Sequence, residues 1–206
     1  MRAGHLIYKV KDLDRSVEEW REKGFVVEYG RTKNPYNAII YFSEGPYIEL
    51  LAATGMPGFF KLILKLIGYK DVANRFNSWD YGEEHWCGFC IEKDPGDLSE
   101  EIESLGRYKE KGFYLKNAKR LDTHGRELKF KCFFPGDLSM PFLMSYFNID
   151  PKPRNFVHPN GYRKVGKIRY ATTGEAAKVI QKLLNDPIVE IEVTGEAGVV
   201  KEVLFT

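Results

Sequence analysis

His5 and Lys9 fall in a short alternating run, His5-Leu-Ile-Tyr-Lys-Val-Lys11, and Glu49 falls in a second, Tyr47-Ile-Glu-Leu-Leu51. Successive side chains of a strand point to opposite faces. Leu6, Tyr8 and Val10 therefore take one face of the first run, and His5, Ile7 and Lys9 the other. In the second run Ile48 and Leu50 separate from Tyr47, Glu49 and Leu51. If both strands belong to one curved sheet, an imidazole, an ammonium and a carboxylate line its hollow, with Ile7 and Tyr47 as apolar contacts for a ligand. A neutral imidazole and a carboxylate are donors for a divalent cation, and an ammonium can hold an anionic substrate group. Without metal, Glu49 in an apolar hollow has its pKa raised and serves as a general base, with Lys9 as its electrostatic partner. A hydrogen bond from His5 to Glu49, or a structural ion pair of Lys9 with Glu49, accounts for the same residues, and two donors are fewer than a metal site needs.

The elements that must position these groups recur along the chain. After the first strand, Asp14 reads as an N-cap, Arg15 to Lys23 as a helix and Gly24 as its stop; Phe25–Tyr29, Asn37–Phe42 and Tyr47–Ala52 read as strands. The order returns with a strand at Trp86–Ile91, a helix at Asp97–Leu105, and strands at Gly112–Leu115, Glu127–Phe134 and Pro141–Phe147. A shorter third copy follows: a strand at Lys167–Ala171, a helix at Glu175–Leu184, and strands at Ile188–Val193 and Val199–Phe205. Copies about 80 residues apart are too long for a solenoid and fit duplicated βαβββ modules. The expected architecture is α+β: a first module over residues 1–55, a helical insertion over 56–84, a second module over 85–150 and a βαββ extension over 151–206. In the second module, alternation turns Trp86, Gly88, Cys90 and Glu92 inward, making Trp86 a ligand contact. His85 points away unless that strand starts one residue out of step.

Composition narrows the partners. The 206 residues carry 31 Lys and Arg against 29 Asp and Glu, a net charge of +2, so there is no global electrostatic reason to bind nucleic acid or an acidic membrane. A small-molecule partner fits better. The longest apolar stretch, Phe59 to Ile67, is broken by Lys61 and Lys65 and falls well short of the roughly 20 residues that cross a bilayer. Its apolar residues lie at helical spacing but spread wider than one face, so it could cover a cavity, pack on the sheet or form a homodimer interface. Cys87, Cys90 and Cys132 cannot all pair with one another, and no targeting segment precedes them, so reduced thiols in the cytoplasm are expected. Alternation would send Cys87 and Cys90 to opposite faces, which argues against a shared metal or a disulfide.

These residues resemble a family. The runs His5-Leu-Ile-Tyr-Lys-Val-Lys-Asp-Leu-Asp14 and Tyr47-Ile-Glu-Leu-Leu51 look like the first module of the vicinal oxygen chelate superfamily. The Trp86 strand, His124-Gly-Arg-Glu-Leu-Lys-Phe130, Pro141-Phe-Leu-Met144 and His158-Pro-Asn-Gly161 resemble, more particularly, its glyoxalase-like domain proteins. The resemblance implies paired βαβββ modules forming a cupped, incomplete β-barrel around a small-molecule cavity. It implies that His5 and Glu49 stand where relatives hold a divalent ion such as Zn, Mn, Fe or Ni; His85, or in its place His124 or His158, could swing in to complete three protein ligands. The activity implied is that of a lyase, isomerase or dioxygenase; the competing class is a non-catalytic protein that sequesters its ligand. The chain departs from the pattern where Trp86 stands at an expected ligand position and where Leu143 or Met144 stands for the second module's glutamate. His158-Pro-Asn-Gly161 reads first as a turn, since Pro159 and Asn160-Gly161 are strong turn formers. Arg120 to Arg126 could place a guanidinium at the cavity rim, although Thr123-His-Gly125 reads first as a hairpin turn.

Overall fold

A computed structural model describes all 206 residues. The first repeat comprises β1 (Arg2–Lys9), α1 (Leu13–Glu22), β2 (Glu28–Tyr29), β3 (Asn37–Ile40) and β4 (Tyr47–Leu51). Two helices follow, α2 (Gly58–Leu66) and α3 (Lys70–Tyr81). The second repeat comprises β5 (His85–Lys93), α4 (Ser99–Ser104), β6 (Phe113–Leu121), β7 (Glu127–Phe134) and β8 (Phe142–Ser145). A terminal unit adds β9 (Val165–Thr172), α5 (Gly174–Leu183), β10 (Val189–Val193) and β11 (Val199–Phe205).

Eight strands form one curled half-barrel in the order β2-β3-β4-β1-β5-β8-β7-β6. Each repeat folds its last strand back parallel to its first, β4 on β1 and β8 on β5, and the repeats join through the antiparallel pair β1–β5. The remaining strands make a separate sheet, β10-β9-β11. The fold is thus the α+β cupped barrel with a βαββ extension that the spacing predicts.

Alternation divides the apolar residues between two cores. Leu6 of β1, Val10 just after it, and Ile48 and Leu50 of β4 pack with Leu13, Val17 and Trp20 of α1, and that core continues into Ile168 and Tyr170 of the terminal sheet. The concave side gathers Ile7, Tyr47, Leu51, Cys132, Phe134, Phe142 and Phe147 against Phe76 and Trp79 of α3. Helix α1 begins earlier than expected. Asp12, in extended backbone, caps it by accepting the Arg15 amide at 3.1 Å, whereas Asp14 sits in the first turn and accepts from the Tyr29 hydroxyl at 2.6 Å.

A bulge in β5 overturns the alternation expected there. Ile7 pairs with Gly88 but Tyr8 pairs with Trp86, leaving Cys87 as an extra residue. Gly88 must stay small, since a Cβ there would meet the Ile7 side chain at 2.9 Å. Beyond the bulge the faces exchange. Trp86 turns toward α1, where its ring meets Tyr8 edge-on at 5.0 Å and Trp20 at 6.5 Å. Cys87 joins the concave side rather than opposing Cys90. The Cys87 carbonyl accepts the Trp79 indole N–H at 2.9 Å, which ties α3 to the bulge.

The motif His158-Pro-Asn-Gly161 acts as a clasp. His158 is buried, and its Nδ1 accepts the Val26 amide at 3.0 Å. Gly161, at φ 89°, closes the turn by donating to the His158 carbonyl, and the Asn160 side chain donates to the carbonyl of Lys23. Turn chemistry and packing account for all of it.

Candidate functional site

The concave face encloses a cavity of about 250 Å3 with apolar and aromatic walls. The central strands place His5, Ile7, Tyr47 and Glu49 in its lining together. Register explains the convergence: His5 lies beside Tyr47 and Ile7 beside Glu49 across the parallel pair β1–β4. The nearest approach of His5 to Glu49 is 3.8 Å, Nε2 to Oε2.

Burial sets the chemistry of each group. His5 is 4 % exposed; its ring stacks on Tyr47, with centroids 4.6 Å apart and planes 9° apart, and meets Phe142 edge-on. Its Nδ1 has no partner within the protein. Burial, reinforced by the positive charges of Arg120 and Lys152, lowers its pKa to about 3, so the ring is neutral at physiological pH. Glu49 shifts upward: burial favours its protonated form, while a hydrogen bond from Asn37 Nδ2 to Oε1 (2.7 Å) and the Arg120 charge oppose that shift. The result is a carboxyl group poised above the ordinary carboxylate range, with one oxygen held and the other facing the cavity's interior side near His5.

Arg120 of β6 supplies the buried, uncompensated cation of this cavity; Lys119, also in its lining, is exposed and pairs with Glu127. One guanidinium nitrogen donates to the Tyr41 hydroxyl at 2.5 Å and another to the carbonyl of Gly30 at 3.2 Å, and the group lies over the Phe147 ring at 5.3 Å. No carboxylate pairs with it; burial works against its charge, and the oxygens of Tyr41, Tyr47 and Glu49 around it hold its pKa up. A register irregularity between Leu115 and Ala118 allows Leu115 and Arg120, at opposite parity in the sequence, both to line the cavity. Strict alternation does not give that pairing, but the guanidinium expected at the rim from the Arg120 to Arg126 run is in place on Arg120.

Three expected site residues lie elsewhere. Lys9 is buried on the concave side of β1, but its ammonium turns to the Ala52 carbonyl at 2.6 Å and does not line the cavity. Trp86 packs against α1, for the reason given by the bulge. The same bulge sets His85 opposite Lys9, yet His85 begins its strand at the exposed rim, where Nδ1 contacts the Glu83 carbonyl at 2.7 Å. Of the two second-module positions, Met144 lines the cavity and Leu143 belongs to the opposite core.

A divalent ion is poorly matched to these side chains. His5 and Glu49 are the cavity's imidazole and carboxylate, and the Cys132 thiol is kept protonated by burial. No group of three or more His, Cys, Asp or Glu comes together, and the free charge facing the space is the Arg120 guanidinium. Two donors beside a cation fall short of the three protein ligands that open metal sites keep.

Comparison with known proteins agrees with the fold. The model of the glyoxalase-like domain matches residues 4–184. A hypothetical protein from Staphylococcus aureus is similar in structure, with a TM-score of 0.63 and 16% identity over 97% of this chain and 88% of that one. A xylose isomerase-like TIM barrel/4-hydroxyphenylpyruvate dioxygenase fusion protein aligns at a TM-score of 0.47 and 11% identity, covering 99% of this chain and 36% of that one. A methylmalonyl-CoA epimerase, in complex with methylmalonyl-CoA and NH4+, aligns at 0.41 and 17%, covering 74% and 98%. No curated protein matches the sequence. With the domain model spanning most of the chain and the paired βαβββ cup beneath it, this chain belongs to the glyoxalase-like domain proteins of the vicinal oxygen chelate superfamily.

Proposed function

We propose that the cavity binds a small, largely apolar molecule bearing a carbonyl and moves a proton at the carbon beside it, an isomerase-type reaction. The observation that carries this reading is Glu49, a half-buried carboxyl group whose pKa is raised by loss of solvation, in one apolar cavity with a guanidinium that no carboxylate neutralises. Ionised Glu49 takes the proton from carbon, and the electron pair moves onto the carbonyl oxygen as an enolate. Arg120 faces the developing negative charge, where a preorganised cation in a water-poor site is most effective. The protonated Glu49 then returns its proton to carbon, so no oxidant or reductant is consumed. Asn37 orients the base, and neutral His5, fixed on Tyr47, completes the polar end. Lys9, occupied by the Ala52 carbonyl, gives the electrostatic role to Arg120.

The test follows deuterium entry from D2O into a panel of α-carbonyl acids and ketones by NMR. Exchange with the unmodified protein, lost in Glu49→Gln and weakened with a raised KM in Arg120→Lys, supports the reading. Exchange unchanged by Glu49→Gln overturns it. A second reading, sequestration without turnover, draws on the aromatic walls, in which Tyr47, Trp79, Phe134, Phe142 and Phe147 surround the space. Ligands that raise Tm while no C–H bond exchanges would favour that alternative. The unpaired thiols of Cys87, Cys90 and Cys132 support a cytoplasmic setting for either activity.

A further inference from the structure

The β6–β7 hairpin borders a second hollow, a groove of about 630 Å3. Lys116, Lys119, Lys129 and Lys131 all line it, together with Asp97. Two backbone relationships gather the lysines. Lys119 and Lys129 stand directly opposite one another across the antiparallel pair, where like charges are unfavourable. The irregularity between Leu115 and Ala118 sets two residues, Lys116 and Asn117, against the single Lys131, which brings the other two ammoniums to the same stretch.

Carboxylates answer half of this charge. Glu127 is shared, one oxygen lying 3.1 Å from Lys119 and the other 3.3 Å from Lys129. Asp97, the one acid in the lining, lies 3.1 Å from Lys131, and the same oxygen accepts the Tyr114 hydroxyl. Lys116 has an aromatic neighbour instead, its ammonium 5.4 Å from the centre of the Tyr114 ring. Four ammoniums against two carboxylates leave a surplus of two positive charges. That surplus matches a phosphate monoester, whose charge near neutral pH is about −1.5 to −2 and whose oxygens accept from several donors at once. A carboxylate would leave one of the two charges unanswered.

Groove and cavity adjoin. Lys119 and Phe130 line both, and Phe130 meets Phe147, a wall of the cavity, edge-on at 5.3 Å. Lys119 and Arg120 are consecutive, so the groove and the cavity draw neighbouring cations from one strand, and β6 ends its sheet with no further strand beyond it. We propose that the groove holds a phosphate monoester on the molecule whose carbonyl end enters the cavity, which makes the substrate a phosphorylated ketone or aldehyde. This rests on the cavity reading given above. It adds what apolar walls do not supply, a charged handle that selects and orients the guest.

Matched ligands test it: para-acetylphenoxyalkyl phosphates of graded chain length, each beside its alcohol, titrated into the full chain and followed by NMR amide shifts. At the length that spans both spaces the phosphate should bind about tenfold tighter than its alcohol, and added salt should erode that preference. Lys116→Gln with Lys129→Gln removes the surplus and should bring the phosphate to the affinity of the alcohol, which itself binds as before. Lys116→Arg with Lys129→Arg should keep the preference. Both positions are exposed, so Tm should not change. Equal affinity of phosphate and alcohol at every length, or a preference that survives the glutamine variant, overturns the proposal. Binding of neither member overturns it together with the cavity reading. Preferred binding of the phosphate without C–H exchange supports the groove and removes the Glu49 chemistry alone.

Discussion

The imidazole of His5 lies flat against the phenol ring of Tyr47, 9° from parallel, while its Nδ1 finds no partner within the protein. Stacking and enclosure hold this ring without making it basic. Its pKa of about 3 lies below the ordinary value of 6.5, so the unfolded chain binds the proton more readily. Stability is therefore lost as pH falls from 6.5 toward 3, on the order of a few kcal/mol at the acid end. The His5 ring protons should show no titration by NMR between about pH 5 and about pH 8. His5→Phe should flatten the acid limb of the Tm profile; an ordinary midpoint near 6.5 would contradict the assignment.

Glu92 offers the reverse case. It is fully buried on β5, with Oε1 bonded to Arg2 Nε at 3.1 Å and Oε2 unpartnered, and burial raises its pKa to about 7 against the pull of Lys152 and Arg2. A carboxyl raised on folding contributes stability that fades as pH climbs from its unfolded value through the folded one. Glu92→Gln should therefore gain on the unmodified protein by roughly 1–2 kcal/mol between about pH 5 and about pH 8. Urea denaturation at the two pH values measures the difference; a gap that narrows with rising pH would refute the argument.

The Lys61–Asp80 pair should show the asymmetry of buried charges. Removing one partner strands the other, so Asp80→Asn should cost about 3 kcal/mol. Replacing both, Lys61→Met with Asp80→Leu, should recover part of that loss, although Thr54 then also loses its acceptor. Equal losses in the single and double variants would show that the pair itself is not the source.

Divalent cations should leave this protein nearly unmoved. Zinc or manganese at micromolar concentration is expected to change Tm by less than a degree or so, because two protein donors beside Arg120 do not make a strong site. A rise of several degrees, lost in both His5→Ala and Glu49→Ala, would restore the metal centre implied by the family resemblance.

The sequence carried the first half of the cup better than the second. In β1 and β4 alternation is unbroken across His5, Ile7, Tyr47 and Glu49, so a period of two is enough to place them on one face. The extra residue at Cys87 breaks that period, and with it the placement of Trp86 and Cys87; the guanidinium that the Arg120 to Arg126 run offers to the cavity is there, on Arg120, although the irregularity between Leu115 and Ala118 hides its face from alternation. Lys9 failed for another reason. Parity gives the face of a side chain but not the destination of a four-carbon stem, which here bends to a carbonyl. The inward turn of Lys61 was hidden as well, because it depends on Asp80, which lies on the neighbouring helix.

The surplus residue at position 87 also fastens a helix of the insertion to the wall of the hollow. Excising Cys87 would bring β5 back into step with Gly88 still opposite Ile7 and Trp86 still opposite Tyr8, so the indole would keep to the outer core, while Trp79 would lose the carbonyl that accepts its N–H. Loss of that one residue would therefore spare the lining strands and loosen α3, whose Phe76 and Trp79 line the guest's space.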